Sequence, residues 1–186
     1  MSNKNLTTDL MIKINLNKIK YPVKIKMKRY LDKRGFFQEI FLEKSFNLKL
    51  KFTAIAKSKK NVIRGLHFQL KDKQTKFIYV IDGKILDTVV NLKKNSMSFG
   101  KVSKFILSEG EALFIPSHYA HGYECLSTKC SVLYHLEKYR NAKYESGIKF
   151  DDKKLKIKWK TKKPILSIRD QNHMSFDQFK RIHKSL

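Results

Sequence analysis

Residues 77–92 have the sequence FIYVIDGKILDTVVNL, which indicates the fold class more clearly than any other part of the chain. Two runs rich in β-branched and aromatic residues flank the pair Asp82-Gly83, and such residues favour strands. An Asp-Gly pair can supply the two positive φ angles of a type I′ turn. We therefore predict two strands that pair as a β-hairpin around this turn.

Short apolar runs of the same kind occur further along the chain. Residues 112–116 (ALFIP) predict a strand that ends at a proline, which cannot donate to a sheet. Residues 131–136 (SVLYHL) predict another strand, with Val132 and Tyr134 on one face and His135 on the other. Many short strands separated by single glycines are typical of an all-β domain.

One helix is predicted near the end of the chain. Ser175 can cap it, and Gln178 completes the pattern of a capping box three residues later. Phe176, Phe179 and Ile182 form an apolar stripe at helical spacing. Together with the strands, this pattern predicts an all-β fold, a jelly-roll sandwich or barrel with a short C-terminal helix.

Length and charge narrow the function classes. The chain has 186 residues, which predicts one domain spanning 1–186, and 41% of them are hydrophobic, which is enough for a packed core. The formal net charge of +25 raises the alternative of a nucleic-acid-binding β-barrel. However, only six of the 41 basic residues are arginines, the type preferred for reading bases, and the lysines are spread along the chain. We therefore predict no nucleic-acid partner.

Other classes are disfavoured by missing patterns. The longest stretch without a charged residue, 112–123, is shorter than the roughly 20 residues of a membrane-spanning helix, so no membrane partner is expected. No P-loop, GxGxxG, GxSxG or HExxH motif occurs. The amino end lacks an apolar block of signal-peptide type. Cys125 and Cys130 form no CxxC motif, so we expect free thiols and a cytoplasmic protein.

The histidines do not form a metal-binding pattern in the sequence. His67 has no second histidine two residues later, and Glu124 is the carboxylate that lies near His118 and His121. Metal sites usually need three or four ligands. We therefore predict no catalytic metal and no cofactor, with a metal-dependent β-barrel as an alternative.

Two motifs in combination carry a resemblance to a known family. They are NVIRGLHFQ at residues 61–69 and AHG at residues 120–122, and the segments 32–39 (DKRGFFQE) and 145–148 (ESGI) fit the same pattern. The chain resembles the dTDP-4-dehydrorhamnose 3,5-epimerase family, whose members are cupin-like jelly rolls that epimerise nucleotide-linked 4-keto sugars. The resemblance implies a single epimerase domain of this fold.

The resemblance also implies a reaction by proton transfer. A ketone at C4 acidifies the hydrogens at C3 and C5, so epimerisation needs a base, an acid on the opposite face and a group that stabilises the enolate. The family pattern places the base at His67, with Asp170 orienting its imidazole. It places the acid at Tyr134 and the cation near the enolate oxygen at Lys76. Without the resemblance, Tyr134 would be an ordinary strand aromatic and Lys76 one surface lysine among many.

Further residues match family positions that contact or support the substrate. They are Arg34, Phe37, Glu39, Arg64, His121, Glu145 and Arg169. Arg34 and Arg64 are the candidates for diphosphate or sugar contacts, because a guanidinium fork suits phosphate oxygens.

Three departures from the family pattern bear on the substrate. Residues 52–54 (FTA) stand where many members have Gln-Asp-Asn, and Arg140 stands where they have an aromatic that stacks on thymine. His118 stands where the family usually has glycine. The first two changes fall where the nucleotide base lies, while the catalytic positions are kept.

These departures lead to a specific expectation for the substrate. We predict epimerisation at C3, and also at C5, of a GDP-linked 4-keto-heptose in surface polysaccharide synthesis. The alternatives are dTDP-4-keto-6-deoxyglucose of the rhamnose route and an epimerase that acts at C3 alone. Family members are typically dimers that exchange amino-terminal strands, so a homodimer is expected here.

Overall fold

The computed structural model describes residues 5–7 and 14–183, and most of its regular elements are β-strands. The strands are β1 (Asn5–Thr7), β2 (Val23–Lys26), β3 (Tyr30–Asp32), β4 (Gly35–Phe37), β5 (Phe52–Lys59), β6 (Ile63–Gln69), β7 (Lys76–Asp82), β8 (Lys84–Asn91), β9 (Val102–Ser108), β10 (Glu111–Ile115), β11 (Tyr119–Cys125), β12 (Lys129–Leu136) and β13 (Glu145–Gly147). The helices are a one-turn 3-10 helix (Leu16–Lys18), α1 (Glu43–Phe46), α2 (Ile168–Gln171) and α3 (Phe176–Ile182). Within these residues no helix is long and apolar enough to cross a membrane.

The strands form two sheets that face each other. One sheet has the order β1-β2-β10-β7-β12-β5 and the other has the order β13-β6-β11-β8-β9, while β3 and β4 form a separate hairpin. Neighbouring strands are antiparallel except for β1 and β2. Consecutive strands often lie in different sheets, which is the arrangement of a jelly roll. The predicted all-β jelly-roll fold with a short C-terminal helix is confirmed.

The main core fills the space between the two sheets. Side chains such as Ile78 and Val132 from the first sheet meet Val89 and Tyr123 from the second. Successive side chains of a strand point to opposite faces, so every second residue of β7, β8, β11 and β12 points into this layer. The same alternation brings polar residues of these strands into the interior, where they form the site described below.

The faces predicted for β12 are confirmed. Val132 and Tyr134 pack in the layer between the sheets, whereas Leu133 packs in a second cluster on the outer face. His135 also lies on the outer face, where its Nδ1 atom is 2.8 Å from Thr53 Oγ1. Tyr134 is therefore available inside the barrel.

The hairpin predicted around Asp82-Gly83 is wrong. The two strands exist, but β7 pairs with β10 and β12 and β8 pairs with β9 and β11, so the turn joins the two sheets at a corner. Gly83 alone of the pair has a positive φ, 81°. A Cβ at Gly83 would lie 2.3 Å from the Lys129 carbonyl oxygen, so the tight corner requires glycine.

The C-terminal helix is confirmed, with one difference on its apolar face. Ser175 and Gln178 form both hydrogen bonds of the capping box. Phe176 and Phe179 are buried against the outer face of the five-stranded sheet, but Ile182 is 63% exposed. Ile182 is the last residue of this seven-residue helix. It does not belong to the buried cluster that contains Phe176 and Phe179.

The two cysteines are free thiols, as the sequence predicts. Cys125 ends β11, Cys130 lies near the start of β12, and both are buried in the main core. Burial and the neighbouring thiol of Cys125 raise the pKa of the Cys130 thiol above its usual range. The thiol therefore stays protonated, and the pair behaves as apolar core.

Candidate active site

His67 and Asp170 form a close hydrogen-bonded pair. His67 lies on β6, and its Nε2 atom is 2.6 Å from Asp170 Oδ1. Asp170 lies on the short helix α2, which begins after Ser167, and the Ser167 hydroxyl accepts a hydrogen bond from the Asp170 backbone N–H. The cap fixes the helix that carries the carboxylate. The predicted orienting pair is therefore in contact.

The protonation of His67 suits a base. Burial lowers its pKa below the ordinary imidazole value, and the hydrogen bond and charge of Asp170 raise the pKa only in part against that effect. The imidazole is therefore neutral at pH 7. When Nε2 donates its hydrogen to Asp170, the lone pair of a neutral ring lies on Nδ1. Nδ1 is then the atom that can accept a proton from a substrate.

His173 is a part of the site that sequence reasoning missed. Its Nε2 atom is 3.1 Å from the same oxygen of Asp170, and its ring meets the His67 ring edge to face at 5.3 Å. Burial would raise the pKa of Asp170, but hydrogen bonds with His173 and His67 lower it well below its usual range. The carboxylate is therefore ionised. The available signal was the RDQNH segment, which places a histidine three residues after Asp170.

Tyr134 reaches the same interior space from the facing sheet. His121 on β11 pairs directly with His67 on β6, and residues opposite each other in an antiparallel pair share a face. The Tyr134 ring meets the His121 ring edge to face at 6.0 Å. His67 and Tyr134 thus approach one space from two different sheets, with His121 beside both.

The phenol of Tyr134 holds its proton firmly. Burial raises its pKa well above the ordinary tyrosine value, and the nearby charge of Asp87 raises it further, against a smaller opposite effect of Arg64. In the described part of the chain, the hydroxyl has no hydrogen-bond partner. It is therefore a protonated donor that a bound substrate can use.

Asp87 is a second residue that sequence reasoning missed. Its Oδ2 atom is 2.8 Å from His121 Nε2, and both side chains are buried. Its Oδ1 atom is buried with no hydrogen-bond partner among the described residues. A lone carboxylate inside the apolar run KILDTVVN was the available signal, because a buried charge needs a partner.

Lys76 begins β7 and points into the interior. It lies two residues before Ile78, which packs between the sheets, so the alternation of the strand directs both side chains inward. Lys76 is 6% exposed, and burial lowers its pKa to about 8 while the charges of Glu145 and Asp87 favour the ammonium form. Most of the lysine is therefore charged at pH 7, inside a low-dielectric space.

Arg64 is half-buried and is held in place by hydrogen bonds. Its Nε atom donates to Ser58 Oγ at 3.0 Å, and one Nη atom donates to the Lys57 carbonyl at 3.0 Å. The Ser58 hydroxyl in turn lies 2.9 Å from the Tyr123 hydroxyl. This network fixes a positive charge near Tyr134, as the electrostatic effect on the tyrosine shows.

Glu145 holds two arginines at the rim of the site. Its Oε2 atom accepts hydrogen bonds from Arg169 at 2.6 Å and from two nitrogens of Arg140 at 2.8 and 3.0 Å. Burial would raise the pKa of Glu145, but the two arginines lower it below its usual value. Its charge in turn favours the ammonium form of Lys76 and the imidazolium form of His67. The predicted residue Glu145 therefore lies close enough to His67 and Lys76 for its charge to act on them, and Arg169 contacts Glu145.

Three predicted site residues lie away from His67 in the part of the chain that the structure describes. Arg34 and Phe37 lie on the β3–β4 hairpin, where Arg34 pairs with Asp32 and Phe37 is 66% exposed. Glu39 follows the hairpin and is half-buried. No described contact joins these side chains to the His67 group. Their assignment as substrate contacts stays a prediction.

His118 lies in the turn before β11, and its ring packs on Tyr119 at 4.7 Å. Burial lowers its pKa, and the charges of Lys93 and Lys20 add to that effect, so the ring is neutral at pH 7. Within the residues that the structure describes, no contact links His118 to His67 or Asp170.

The arrangement supports proton transfer to and from one bound carbon acid. A neutral imidazole and a protonated phenol face one space from opposite sheets, and the ammonium of Lys76 is buried near the charges of Glu145 and Asp87. A base, an acid and a cation are the three groups that an enolate reaction needs. The resemblance predicts His67, Tyr134 and Lys76 for these three roles and Asp170 as the partner of His67.

Comparisons with known proteins identify one family. The family model described as dTDP-4-dehydrorhamnose 3,5-epimerase matches residues 17–178. The enzyme of that name from Methanothermobacter thermautotrophicus is 37% identical over 153 residues, covering 77% of this chain and 83% of the relative. The one from Escherichia coli is 34% identical over 161 residues, covering 81% of this chain and 87% of the relative.

Solved structures lead to the same group of proteins. The crystal structure of dTDP-6-deoxy-D-glucose-3,5-epimerase from Legionella pneumophila, in complex with dTDP-4-keto-L-rhamnose, superposes with a TM-score of 0.81 at 30% identity and covers 88% of this chain and 92% of that one. The Bacillus anthracis dTDP-4-dehydrorhamnose 3,5-epimerase, with TDP and pyrophosphate bound, gives a TM-score of 0.80 at 32% identity, covering 88% and 97%. This chain belongs to the dTDP-4-dehydrorhamnose 3,5-epimerase family and is an isomerase that acts on nucleotide-diphospho-4-keto sugars.

Proposed function

We propose that the protein epimerises C3 and C5 of a dTDP-linked 4-keto-6-deoxyglucose, the substrate of the rhamnose route. The observation that carries the proposal is the placement of His67 and Tyr134 on facing sheets beside His121. Inversion of a carbon requires that hydrogen leave one face and arrive on the other. A base and an acid on opposite walls of one space meet that requirement.

The first step is removal of a proton by His67. The C4 ketone acidifies the hydrogens on C3 and C5, because the electron pair left behind delocalises onto the ketone oxygen as an enolate. His67 accepts the proton at Nδ1, and Asp170 accepts the hydrogen bond from Nε2–H and stabilises the imidazolium that forms. The lowered pKa keeps the imidazole ready at neutral pH.

The second step is stabilisation of the enolate and return of a proton. The Lys76 ammonium supplies a buried positive charge for the enolate oxygen, where it is worth more than in water. Tyr134 then donates its phenolic proton to the opposite face of the carbanion. The nearby positive charge of Arg64 stabilises the phenolate that forms transiently. The reaction needs neither a metal nor a cofactor in this scheme.

The choice of dTDP rests on the relatives. The relatives reported above are named as dTDP-sugar epimerases, which favours the alternative over the GDP-linked heptose predicted from residues 52–54 and Arg140. Arg140 also offers a physical substitute for the missing aromatic. Glu145 holds its guanidinium through two nitrogens, and a guanidinium fixed in this way can stack on a nucleobase.

We further propose that one domain spanning residues 1–186 carries the activity and that the active unit is a homodimer. The β3–β4 hairpin supports the dimer, since Leu31 is 80% exposed and Phe37 is 66% exposed on an element that a second subunit can cover. If the hairpin of one subunit meets the site of the other, Arg34 and Phe37 reach substrate there. Light scattering of the purified chain measures the mass, and a monomeric mass of 22.0 kDa would refute the dimer.

The decisive experiment follows hydrogen exchange by proton NMR in D₂O. With dTDP-4-keto-6-deoxyglucose, we expect deuterium at both C3 and C5. The His67→Asn variant should lose exchange at both carbons by about 10²–10⁴-fold, the usual contribution of a general base. Tyr134→Phe should slow product formation more than deuterium wash-in, because it removes the acid and leaves the base. His135→Asn, on the outer face of the same strand as Tyr134, is the matched control and should exchange at the normal rate.

The same assay separates the alternatives. Exchange at C3 alone would contradict the C5 claim and support the C3-only epimerase. Faster exchange with a GDP-linked 4-keto-heptose than with the dTDP sugar would restore the substrate first expected from residues 52–54. Near-normal exchange in His67→Asn would show that another group is the base.

A further inference from the structure

Asp170 is shared by two histidines, although the proposed reaction uses only one of them. Its Oδ1 atom is 2.6 Å from Nε2 of His67 and 3.1 Å from Nε2 of His173. The three donor atoms all lie within 4.8 Å of one another. His173 is buried, and no step of the epimerisation assigns it a role.

The three atoms form a donor set suited to a transition metal. Two imidazole nitrogens and one carboxylate oxygen are ligands for zinc-type ions, which bind them at about 2.0–2.2 Å. Such bond lengths place neighbouring ligand atoms roughly 3.3 Å apart in a tetrahedral site. The distances of 2.6 and 3.1 Å are shorter than that value, so the side chains must move apart by several tenths of an ångström to admit an ion.

Gly147 shows that the place of His173 is built into the fold. Gly147 on β13 pairs with His67 on β6, and the His173 ring lies directly over its Cα. A Cβ at this position would be 2.5 Å from the His173 Nε2 and Cδ2 atoms. Any residue other than glycine would therefore push the ring away from Asp170.

The donor set can also be reached from outside. The His67 side chain is 31% exposed towards the interior space. A surface cavity of about 500 Å³ is lined by Gly147, Glu145 and His173 among others. An ion therefore has an approach, and water can fill the coordination positions that the protein leaves open.

We propose that His67, Asp170 and His173 bind one divalent transition-metal ion of the zinc type and that this ion inhibits the enzyme. The inhibition rests on the proposed role of His67. A metal bound to Nε2 takes the lone pair there, so a neutral ring must carry its hydrogen on Nδ1. Nδ1 is the atom that accepts the substrate proton. The bound ion therefore keeps His67 in the wrong tautomer and removes the base without blocking the rest of the site.

The binding test uses the untagged full chain and the metals alone. Co²⁺ should give a visible absorption spectrum that saturates at one ion per chain and disappears when Zn²⁺ is added. His173→Gln and Gly147→Ala should each weaken Zn²⁺ binding by at least about tenfold, the lower range for loss of a supporting group at a metal site. His135→Gln should bind like the unchanged chain. Mg²⁺, which prefers oxygen ligands, should not compete.

The variants keep the test decisive. Gly147→Ala retains all three ligands, so loss of binding there reflects the displaced ring rather than a missing donor. Circular dichroism identifies a variant that fails to fold, and the other variant then decides. Binding that is unchanged in both folded variants, or that is absent in the unchanged chain, would overturn the proposal.

The activity test separates this proposal from the function proposed above. Zn²⁺ should stop deuterium exchange in proportion to occupancy, and a chelator should restore it fully. An inactive chain that still binds one Zn²⁺ through these residues would refute the epimerase mechanism and leave the metal site. An active chain whose exchange ignores saturating Zn²⁺ would refute the inhibitory site and leave the mechanism.

Discussion

At the scale of single residues, Lys76 connects catalysis with stability. Its pKa is lowered to about 8 by burial, against an ordinary value of 10.5. Between these two values the unfolded chain binds more protons than the folded one, so the free energy of unfolding increases as the pH rises from about 8 to above 10. At pH 7 the buried ammonium therefore costs the fold up to about 3 kcal/mol.

The Lys76→Met variant should be more stable and less active. At pH 7 we expect its free energy of unfolding to rise by about 1–3 kcal/mol, because the charge is gone and the aliphatic stem is kept. Its deuterium exchange should fall by about 10²–10³-fold, since the enolate loses its cation. In the unchanged enzyme, kcat/KM should decline above pH about 8 as the ammonium loses its proton. Urea unfolding and pH-dependent exchange rates measure these changes.

Lys101→Met provides the control for this prediction. Lys101 is exposed, so its removal relieves no burial cost and takes no charge from the site. Its stability should stay within about 0.5 kcal/mol and its pH profile should not change. A Lys76→Met variant that is less stable than the unchanged chain would show that the ammonium is fully paired in the folded state.

At the same scale, the sequence predicts the candidate catalytic residues but not their partners. His67, Tyr134, Lys76 and Asp170 were predicted from the resemblance alone, and the fold brings them together. His173 and Asp87 were missed, because a histidine or a carboxylate in one segment gives no local sign of the side chain it meets. His67 and Asp170 are 103 positions apart, so their contact depends on the whole fold.

At the scale of elements, two serines cap two short helices with different tasks. Ser167 accepts a hydrogen bond at the start of α2, which carries Asp170, and Ser175 does so at the start of α3, which only covers the outer face of the sheet. Ser167→Ala and Ser175→Ala should each lower the free energy of unfolding by about 0.5–2 kcal/mol. Only Ser167→Ala should also slow deuterium exchange, because it loosens the carboxylate that orients His67.

The pair of variants is its own control. Both lose a similar hydrogen bond, so thermal or urea unfolding should show similar losses of stability. If both variants exchange deuterium at the normal rate, the position of α2 does not limit the orientation of His67. If both are equally slowed, the effect comes from general destabilisation.

At the scale of elements, local sequence patterns predict single strands and caps but not which strands pair. The strands around Asp82-Gly83 and the capping box at Ser175 were predicted, because both depend on neighbouring residues. The pairing of β7 with β8 was predicted wrongly, because both strands are buried along most of their length and alternation cannot tell which sheet each joins. The Lys129 carbonyl that crowds Gly83 comes from a distant segment, which the local pattern does not contain.

At the scale of the whole molecule, the net charge of +25 should increase the rate at which the protein binds its substrate. A nucleotide diphosphate is an anion, and a positive field raises its rate of capture at low salt. We expect kcat/KM to fall by about tenfold or more between 0.01 and 1 M salt, as the screening length shrinks from about 30 to 3 Å, while kcat stays nearly constant.

The same titration tests the alternative suggested by the charge. A fluorescent DNA or RNA oligonucleotide should bind weakly and should dissociate from the protein as the salt concentration approaches the physiological value. Tight binding that persists at about 0.15 M salt would support the nucleic-acid alternative. A kcat/KM that does not respond to salt would show that the lysines, spread over the chain, create no field at the site.

The fold as a whole was predictable because many weak signals agree. Short strands, single glycines and one capped terminal helix each favour the jelly roll, and their sum is stronger than any one of them. The order of strands in each sheet was not predictable, since it depends on which buried faces meet across the interior.

The placement of the proposed acid and the proposed base on two different sheets has a consequence for variation in this enzyme. The packed layer that includes Ile78 and Val132 works as a spacer, and its thickness sets the gap across which a proton must be delivered. A smaller or larger side chain in this layer would change the distance between Tyr134 and the substrate carbon, although the changed residue contacts neither the sugar nor the nucleotide. Conservative substitutions in the core can therefore alter the stereochemical outcome. Mutational scans should measure the configuration of the product at C3 and C5 as well as folding.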